Sequence, residues 1–406
     1  MTFTQKSLSL RELLVSIFTI FIISPWCSAE VTSVSYSEIL KKIVFEAATA
    51  DISGRPEVPG PRSRGYSHRI ITDYYPIEGL DGPDAVPFLI DVMINGPDWK
   101  DEKLLATKGG IIPHIARCSA AINLGAHKDP RAFEPLLEML KHGDFLEMKY
   151  KITYPDKNKY DIRIHAAAGL GYLRDSNAVE PLVMALQSSD NIYVRIAAAG
   201  ALGYLGSPKA TNPLLLVLKN KQNDNTLREV CINSLARIRD MRTLPVILET
   251  ASEIGYGLGV DEYLIYMTRI KFELDYSRKD RAFTVKEFPE LGKFDSPLRV
   301  WKHWLNVGQD QAKNRFNEHF QQWKTTKQSH PDAKDMIAAY RRKMVKYGVA
   351  ALPFLVEKIQ QNETELIPLI SELTGRQVKE TATTEEIVNW WNSSKERWLI
   401  PFGQIK

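Results

Sequence analysis

The chain has 406 residues and a formal charge of +4, with 44% hydrophobic and 25% charged residues. That balance is ordinary for a folded protein, and the length suits two or three domains or one long array. The charge is too small to imply nucleic acid or a membrane surface as partner.

The N-terminus reads as a targeting segment. Lys6 and Arg11 precede an apolar run of 11 residues from Leu13 to Ile23, which Ser24 and Pro25 break. Cys27-Ser28-Ala29 puts small residues at the positions a signal peptidase reads. Residues 1–29 are therefore expected to be a secretory signal cleaved after Ala29, making the chain secreted or periplasmic. The run is shorter than the ~20 residues that span a bilayer, so no transmembrane segment is expected after cleavage. An uncleaved anchor is the alternative.

Residues 30–115 are expected to form an N-terminal helical cap. Val34 to Thr49 has helical apolar spacing at Ile39, Leu40, Ile43, Val44 and Ala47. Residues 51–77 hold Pro56, Pro59 and Pro61 among several Gly and Arg, and form either a functional loop or a disordered one. Asp84 to Met93 reads as the second helix of a helix pair.

From 116 to 250 the chain repeats itself. DIRIHAAAGLGYLRDSNAVEPLVMAL, YVRIAAAGALGYLGSPKATNPLLLVL and TLREVCINSLARIRDMRTLPVILE superpose, with Arg163, Arg195 and Arg228 spaced 32 and 33 apart and Pro181, Pro213 and Pro245 spaced 32 apart. A looser copy, IARCSAAINLGAHKDPRAFEPLLEML, lies upstream with Arg117. A period of this size marks a repeat array. Each unit reads as two helices. The first is rich in Ala and Leu, Gly203 and Gly206 sit near its end, and Pro opens the second. Such a pair buries its apolar surface only by stacking on its neighbours.

Arg117 to Arg163 is 46 residues, so about 14 residues are inserted, near 142–160. Met148, Tyr150, Ile152 and Tyr154 alternate with polar residues, which predicts a small β-hairpin. It is either a recognition loop or an excursion without a role. Beyond Thr250 the period fades. Residues 251–346 read as a basic helical region, with a capped start at Phe294-Asp295-Ser296-Pro297. Arg278 to Lys346 carries 16 Lys or Arg against 8 Asp or Glu, which suits either an acidic partner or a solvated helical face. Residues 347–406 resume a helix pair and close on a helix bearing Trp390, Trp391 and Trp398. The Trp side chains, with Trp301 and Trp304, either plug the fold or bind a sugar or peptide.

The frame V/I-R-x-x-A-A-x-A-L-G-x-L-G/D, followed by A-x-x-P-L, resembles the HEAT-like repeats of the phycobilisome-lyase type over about Ala116 to Thr250. The match departs at Ala236 and Ile238, where Gly and Leu are usual. The C-terminal plan of helix pair, loop and Trp helix resembles bacterial exported HEAT-repeat proteins. This resemblance implies an all-α fold: an α-solenoid of helical-hairpin repeats, with a divergent helical C-terminal region and the small hairpin insertion. It implies no activity, because a scaffold hosts many.

The residues themselves show no catalytic site, no metal site and no cofactor motif. His114, His127, His142 and His165 fall at different repeat positions and share no face, and no His-Glu dipeptide occurs. There is no phosphate-cradling Gly loop and no nucleophile elbow. Cys118 and Cys231 lie three repeats apart and read as buried thiols too distant to bridge. Arg117, Arg163, Arg195 and Arg228 are expected to stitch neighbouring units, through Asp129, Asp175 and Asp240 or through backbone carbonyls. Positions three and four after each Pro should face out, which offers Met184, Leu216, Val217 and Leu248 as an apolar stripe on the concave face. The stripe either binds a partner or packs under another part of the chain.

The sequence thus predicts a non-enzymatic scaffold of the cell envelope or exterior that holds a protein or peptide. The alternative is a carbohydrate- or polyanion-binding module, with anionic polysaccharide as ligand, using the Trp helices and the basic C-terminal region. No nucleic acid is expected as partner.

Overall fold

The computed structural model describes residues 35–42, 79–80, 82, 84–98, 111–143, 161–255, 260–277, 282–288, 291–294 and 296–404. The signal segment, the 51–77 loop and almost all of the 142–160 insertion lie outside them. The chain divides into two compact units, Met1–Leu205 and Gly206–Lys406, with the boundary falling inside the repeat array.

The first unit is helical. Residues 36–42 form a helical segment. Then come α1 (Ala85–Asn95), α2 (Ile111–His127), α3 (Phe133–His142), α4 (Ile162–Leu173), α5 (Val179–Ser188) and α6 (Ile192–Leu205). The first helices of successive pairs stack, α2 on α4 and α4 on α6, while α1 packs on α2, α3 on α4 and α5 on α6. Small residues allow this stacking. A Cβ on Gly125 would lie 2.1 Å from the carbonyl oxygen of Gly169, and one on Gly171 would lie 2.8 Å from Cα of Ala201. Gly125 and Gly171 are thus helix-interior contact points. The caps come later, at Lys128 and Arg174, which hold φ of 55° and 58°.

One linker module joins the helices of each pair in both units. A residue in the left-handed region ends the first helix: Lys128, Arg174, Gly206 or Arg239. The next residue opens a three-residue 3-10 turn, and Asp129, Asp175 and Asp240 accept the backbone N–H two residues on, from Arg131, Asn177 and Arg242. This is the local bond that favours Asp at turns. Ser207 holds the same place without a side-chain cap. These aspartates therefore cap their own turns and do not pair with the repeated arginines, a correction to the expected Asp–Arg stitching.

The second unit begins with α7 (Thr211–Lys219), α8 (Asn225–Ile238), α9 (Leu244–Glu253) and α10 (Val260–Thr268). Strands β1 (Leu274–Ser277) and β2 (Ala282–Val285) then pair antiparallel, with Tyr276 opposite Phe283 and their rings 4.8 Å apart. Residues 251–346 read as helical from sequence, so this hairpin is a correction. Its signal was the alternation of Phe272, Leu274 and Tyr276 against Phe283 and Val285.

Helix α11 (Pro297–Ser329) follows, capped by Ser296 as its sequence predicts. It buries Trp301, Trp304, Gly308, Ala312, Phe316, Phe320 and Trp323 along one face, spaced every three or four residues. Phe272, Trp301 and Trp304 form an aromatic cluster with centroids 4.9 and 6.1 Å from Phe272. The Trp301 indole donates to Asp261 at 2.6 Å, and burial holds that carboxyl above its ordinary range. Helices α12 (Lys334–Met344), α13 (Leu352–Gln360), α14 (Ile367–Thr374) and α15 (Thr384–Trp398) complete the unit. A reciprocal capping box between Thr383 and Glu386 opens α15.

Candidate functional site

Of the four residues expected in the apolar stripe, two are exposed, one in each unit. Met184 and Leu216 are each 66% exposed, whereas Val217 is 6% exposed and Leu248 fully buried. Counting from proline misplaces the outward face. Pro135, Pro181 and Pro213 are third in α3, α5 and α7, but Pro245 is second in α9. Counted from the helix start, the outward place is the sixth residue every time: Glu138, Met184, Leu216 and Glu249, all exposed. Val217 falls seventh and Leu248 fifth, turned toward the core by the ~100° step of the helix. In each unit, then, one second helix presents a large apolar side chain where its neighbour presents Glu.

The arginine ladder is built on carbonyls. Arg117 Nε donates to Met93 O at 2.7 Å, Arg195 Nε to Leu186 O at 2.9 Å and Arg228 Nε to Leu218 O at 3.0 Å. Each acceptor lies in the last turn of the preceding second helix, where carbonyls lack helical partners and cations are favoured. Arg228 also pairs with Glu253 at 3.4 Å. Arg163 differs, although it packs beside Gly143 at the end of α3. It forks onto Asp161, the N-cap of its own helix, and reaches Asp190 at 3.2 Å. Asn191, whose side chain caps α6, donates to the same Asp161 at 3.0 Å. The ladder is therefore structural and exposes no free arginine row.

Residues 155–236 match the family of HEAT repeats, and residues 116–142 match the PBS lyase HEAT-like repeat. The two matched segments are HEAT-like repeats. No curated protein matches the chain. HEAT repeats carry a general scaffold and protein-binding character, and the exposed Met184 and Leu216 lie on HEAT helices.

The HEAT packing also assembles a group that sequence reasoning kept apart. Cys118 and His114 lie one turn apart on α2, with Sγ and Nε2 at 3.2 Å. His165 on α4 adds a second imidazole against the same sulfur. Burial alone would raise the thiol pKa, but His165 and His114 outweigh it and bring it to about 6. The four-residue step from His114 to Cys118 was the available signal, but the third member needed the stacking of α2 on α4. Cys118 is 6% exposed, so the sulfur is shielded from substrates.

A depressed pKa means that the folded state favours the thiolate. The contribution of Cys118 to stability is complete above the ordinary thiol pKa of about 8.5 and is lost as pH falls through about 6. Thiolate absorbance in a Cys27→Ser, Cys231→Ser chain should therefore titrate with a midpoint near 6. A midpoint at the ordinary thiol value would show that the histidines do not hold the anion.

Among the described residues no group of three or more His, Cys, Asp or Glu side chains could hold a metal ion, and no helix is long and apolar enough to cross a membrane. Cys118 and Cys231 are both buried and are not bridged to one another. A cleft of about 480 Å³ lies along the hairpin, lined by Glu273, Asp275 and Lys286 among others. Its Glu273 is engaged by Lys286 at 3.6 Å and by Lys346 at 3.9 Å.

Part of what supports a glycan or polyanion reading is used by the fold. Trp301, Trp304, Trp323 and Trp398 are fully buried, and Trp390 and Trp391 are half-buried with rings 6.0 Å apart. Lys324 pairs with Glu363, Lys327 with Glu365 and Lys346 with Glu287.

Proposed function

We propose that this protein is a non-catalytic scaffold that holds a protein or peptide partner on the outward faces of its second HEAT helices. One observation carries the reading: Met184 and Leu216 stand 66% exposed at the helix place where Glu138 and Glu249 stand in neighbouring repeats. Leaving a large apolar side chain in water forgoes about 1.5–3 kcal/mol of burial, which a partner's apolar surface would recover. The N-terminal segment supports work after export, in the cell envelope or outside it.

Met184→Glu and Leu216→Glu test the reading separately. Each places in one repeat the residue type that one adjoining repeat already carries, so folding should be unchanged and the melting temperature equal to that of the parent. Capture of a protein from the envelope fraction by the mature chain should be lost in at least one variant. Capture that survives both changes in folded protein would sink the proposal.

A further inference from the structure

We propose that Arg239 and Arg269, which converge over Gly375, form a binding site for a phosphate-type oxyanion. The site lies wholly within the second unit and shares no residue with the protein-binding reading, so either can fail alone.

Arg239 ends α8 and is 5% exposed. Its Nε donates to Met267 O at 3.0 Å and its Nη2 to Leu373 O at 2.6 Å. Its third nitrogen, Nη1, makes no hydrogen bond to any described residue. It points at Gly375, lying 3.3 Å from where a Cβ there would stand, and Nη2 of Arg269 lies 4.0 Å from the same point. Gly375 is exposed, so the unused donor meets water there, in a gap that any other residue would fill.

Arg269 is exposed, sits at φ 60° and rests over the Tyr266 ring at 5.1 Å. That contact orients the guanidinium without using its donors. Arg397 stands close by, donating to the Arg239 carbonyl, with its guanidinium 5.4 Å over the Trp398 ring that Arg239 also covers at 5.0 Å.

Charge decides the ligand class. Burial first, and then the neighbouring cations Arg269 and Arg397, hold the Arg239 pKa down to about 10, so it remains charged at neutral pH beside like charges. Among the described residues no ion pair joins Arg239, Arg269, Arg376 or Arg397 to a carboxylate. Asp240, whose charge reaches Arg397, is fully buried and pairs with Arg242 at 2.6 Å. Clustered arginines that no carboxylate pairs directly, with unused donors on Arg239 and Arg269, suit a compact multivalent oxyanion. A dianionic phosphate offsets the repulsion better than a single carboxylate.

The test uses the mature chain and inorganic phosphate, titrated calorimetrically against chloride at matched ionic strength, with acetate as a carboxylate arm. Saturable phosphate binding is expected. It should weaken by about tenfold or more in Arg269→Ala, the loss of charge-assisted donors. It should be unchanged in Arg342→Ala, which removes an exposed cation elsewhere in the unit. Arg269 is chosen because Arg239 also supports the fold, and Arg269→Gln, which keeps the side-chain length, serves as a second variant. Competition by phenyl phosphate would show a site open to phosphomonoesters, and its failure a site for free phosphate. Either supports the proposal. No saturable binding, equal binding by acetate, or equal phosphate affinity in the Arg269 variants would overturn it.

Discussion

Replacing Gly125 with alanine is expected to cost the first unit about 3 kcal/mol, the upper end for overpacking a close interface. At this size of unit that is a fall of roughly 6–12 °C in melting temperature. Helix propensity argues the other way, since alanine gains up to about 1 kcal/mol over glycine in a helix interior. The contact decides the sign. The new Cβ would stand 2.1 Å from the Gly169 oxygen and 2.7 Å from its carbonyl carbon and Cα, all backbone of α4. No rotamer change relieves a backbone clash, so α2 and α4 must separate. Separation would also open the neighbouring contact where a Cβ on Gly169 would lie 2.5 Å from Ala121 O. Gly206→Ala is the control. It carries φ of 62° with nothing within 4 Å, so it should cost only the ~1–2 kcal/mol of a left-handed backbone. Equal stability of Gly125→Ala and the parent, by thermal melting, would show that the helices are not held at this distance.

Stacking of this kind explains what sequence could and could not reveal. The helix pairs were legible because Arg, Asp and Pro recur at fixed steps, and each acts locally, in a carbonyl ladder, a turn cap and a helix start. Leu248 was misplaced because Pro245 slipped one place along its helix while the Arg series did not, and Val217 because the fourth place after proline already turns inward. The Cys118, His114 and His165 cluster was illegible because its members lie on two helices, and only the close α2–α4 contact brings them together. The hairpin at 274–285 has two strands of four residues, too short for alternation to stand out from a charged stretch. The aspartates after each first helix were seen, but their partner was their own backbone. The repeat period was readable, and contacts between separate helices, such as the one that assembles the Cys118 cluster, were not.

Arg239→Ala is expected to destabilise the second unit by about 3 kcal/mol, even though it removes a buried charge held among other arginines. The gains are loss of desolvation and relief from Arg269 and Arg397. Against them stand two hydrogen bonds from a cation to buried carbonyls, each worth about 1.5–3 kcal/mol, and a cation–π contact of about 1–2 kcal/mol with Trp398. The carbonyls of Met267 and Leu373 would be left without this donor, in the last turns of α10 and α14, where helical partners are already missing. Arg397 locks the same corner from α15 by donating to the carbonyls of Ile238 and Arg239. Arg239 therefore joins the end of α8 to the ends of α10 and α14, segments 28 and 134 residues away. A repeat alignment sees only an arginine where Gly206 stands in the preceding copy. Lysine should not rescue, because one ammonium cannot span two carbonyls as the guanidinium fork does. Glycine should recover about 1 kcal/mol over alanine, because φ is 59° here. In urea unfolding the order should run parent, then Gly, then Ala, with the Ala midpoint clearly lowest. An alanine variant as stable as the parent would mean that like-charge repulsion cancels the bonds Arg239 makes.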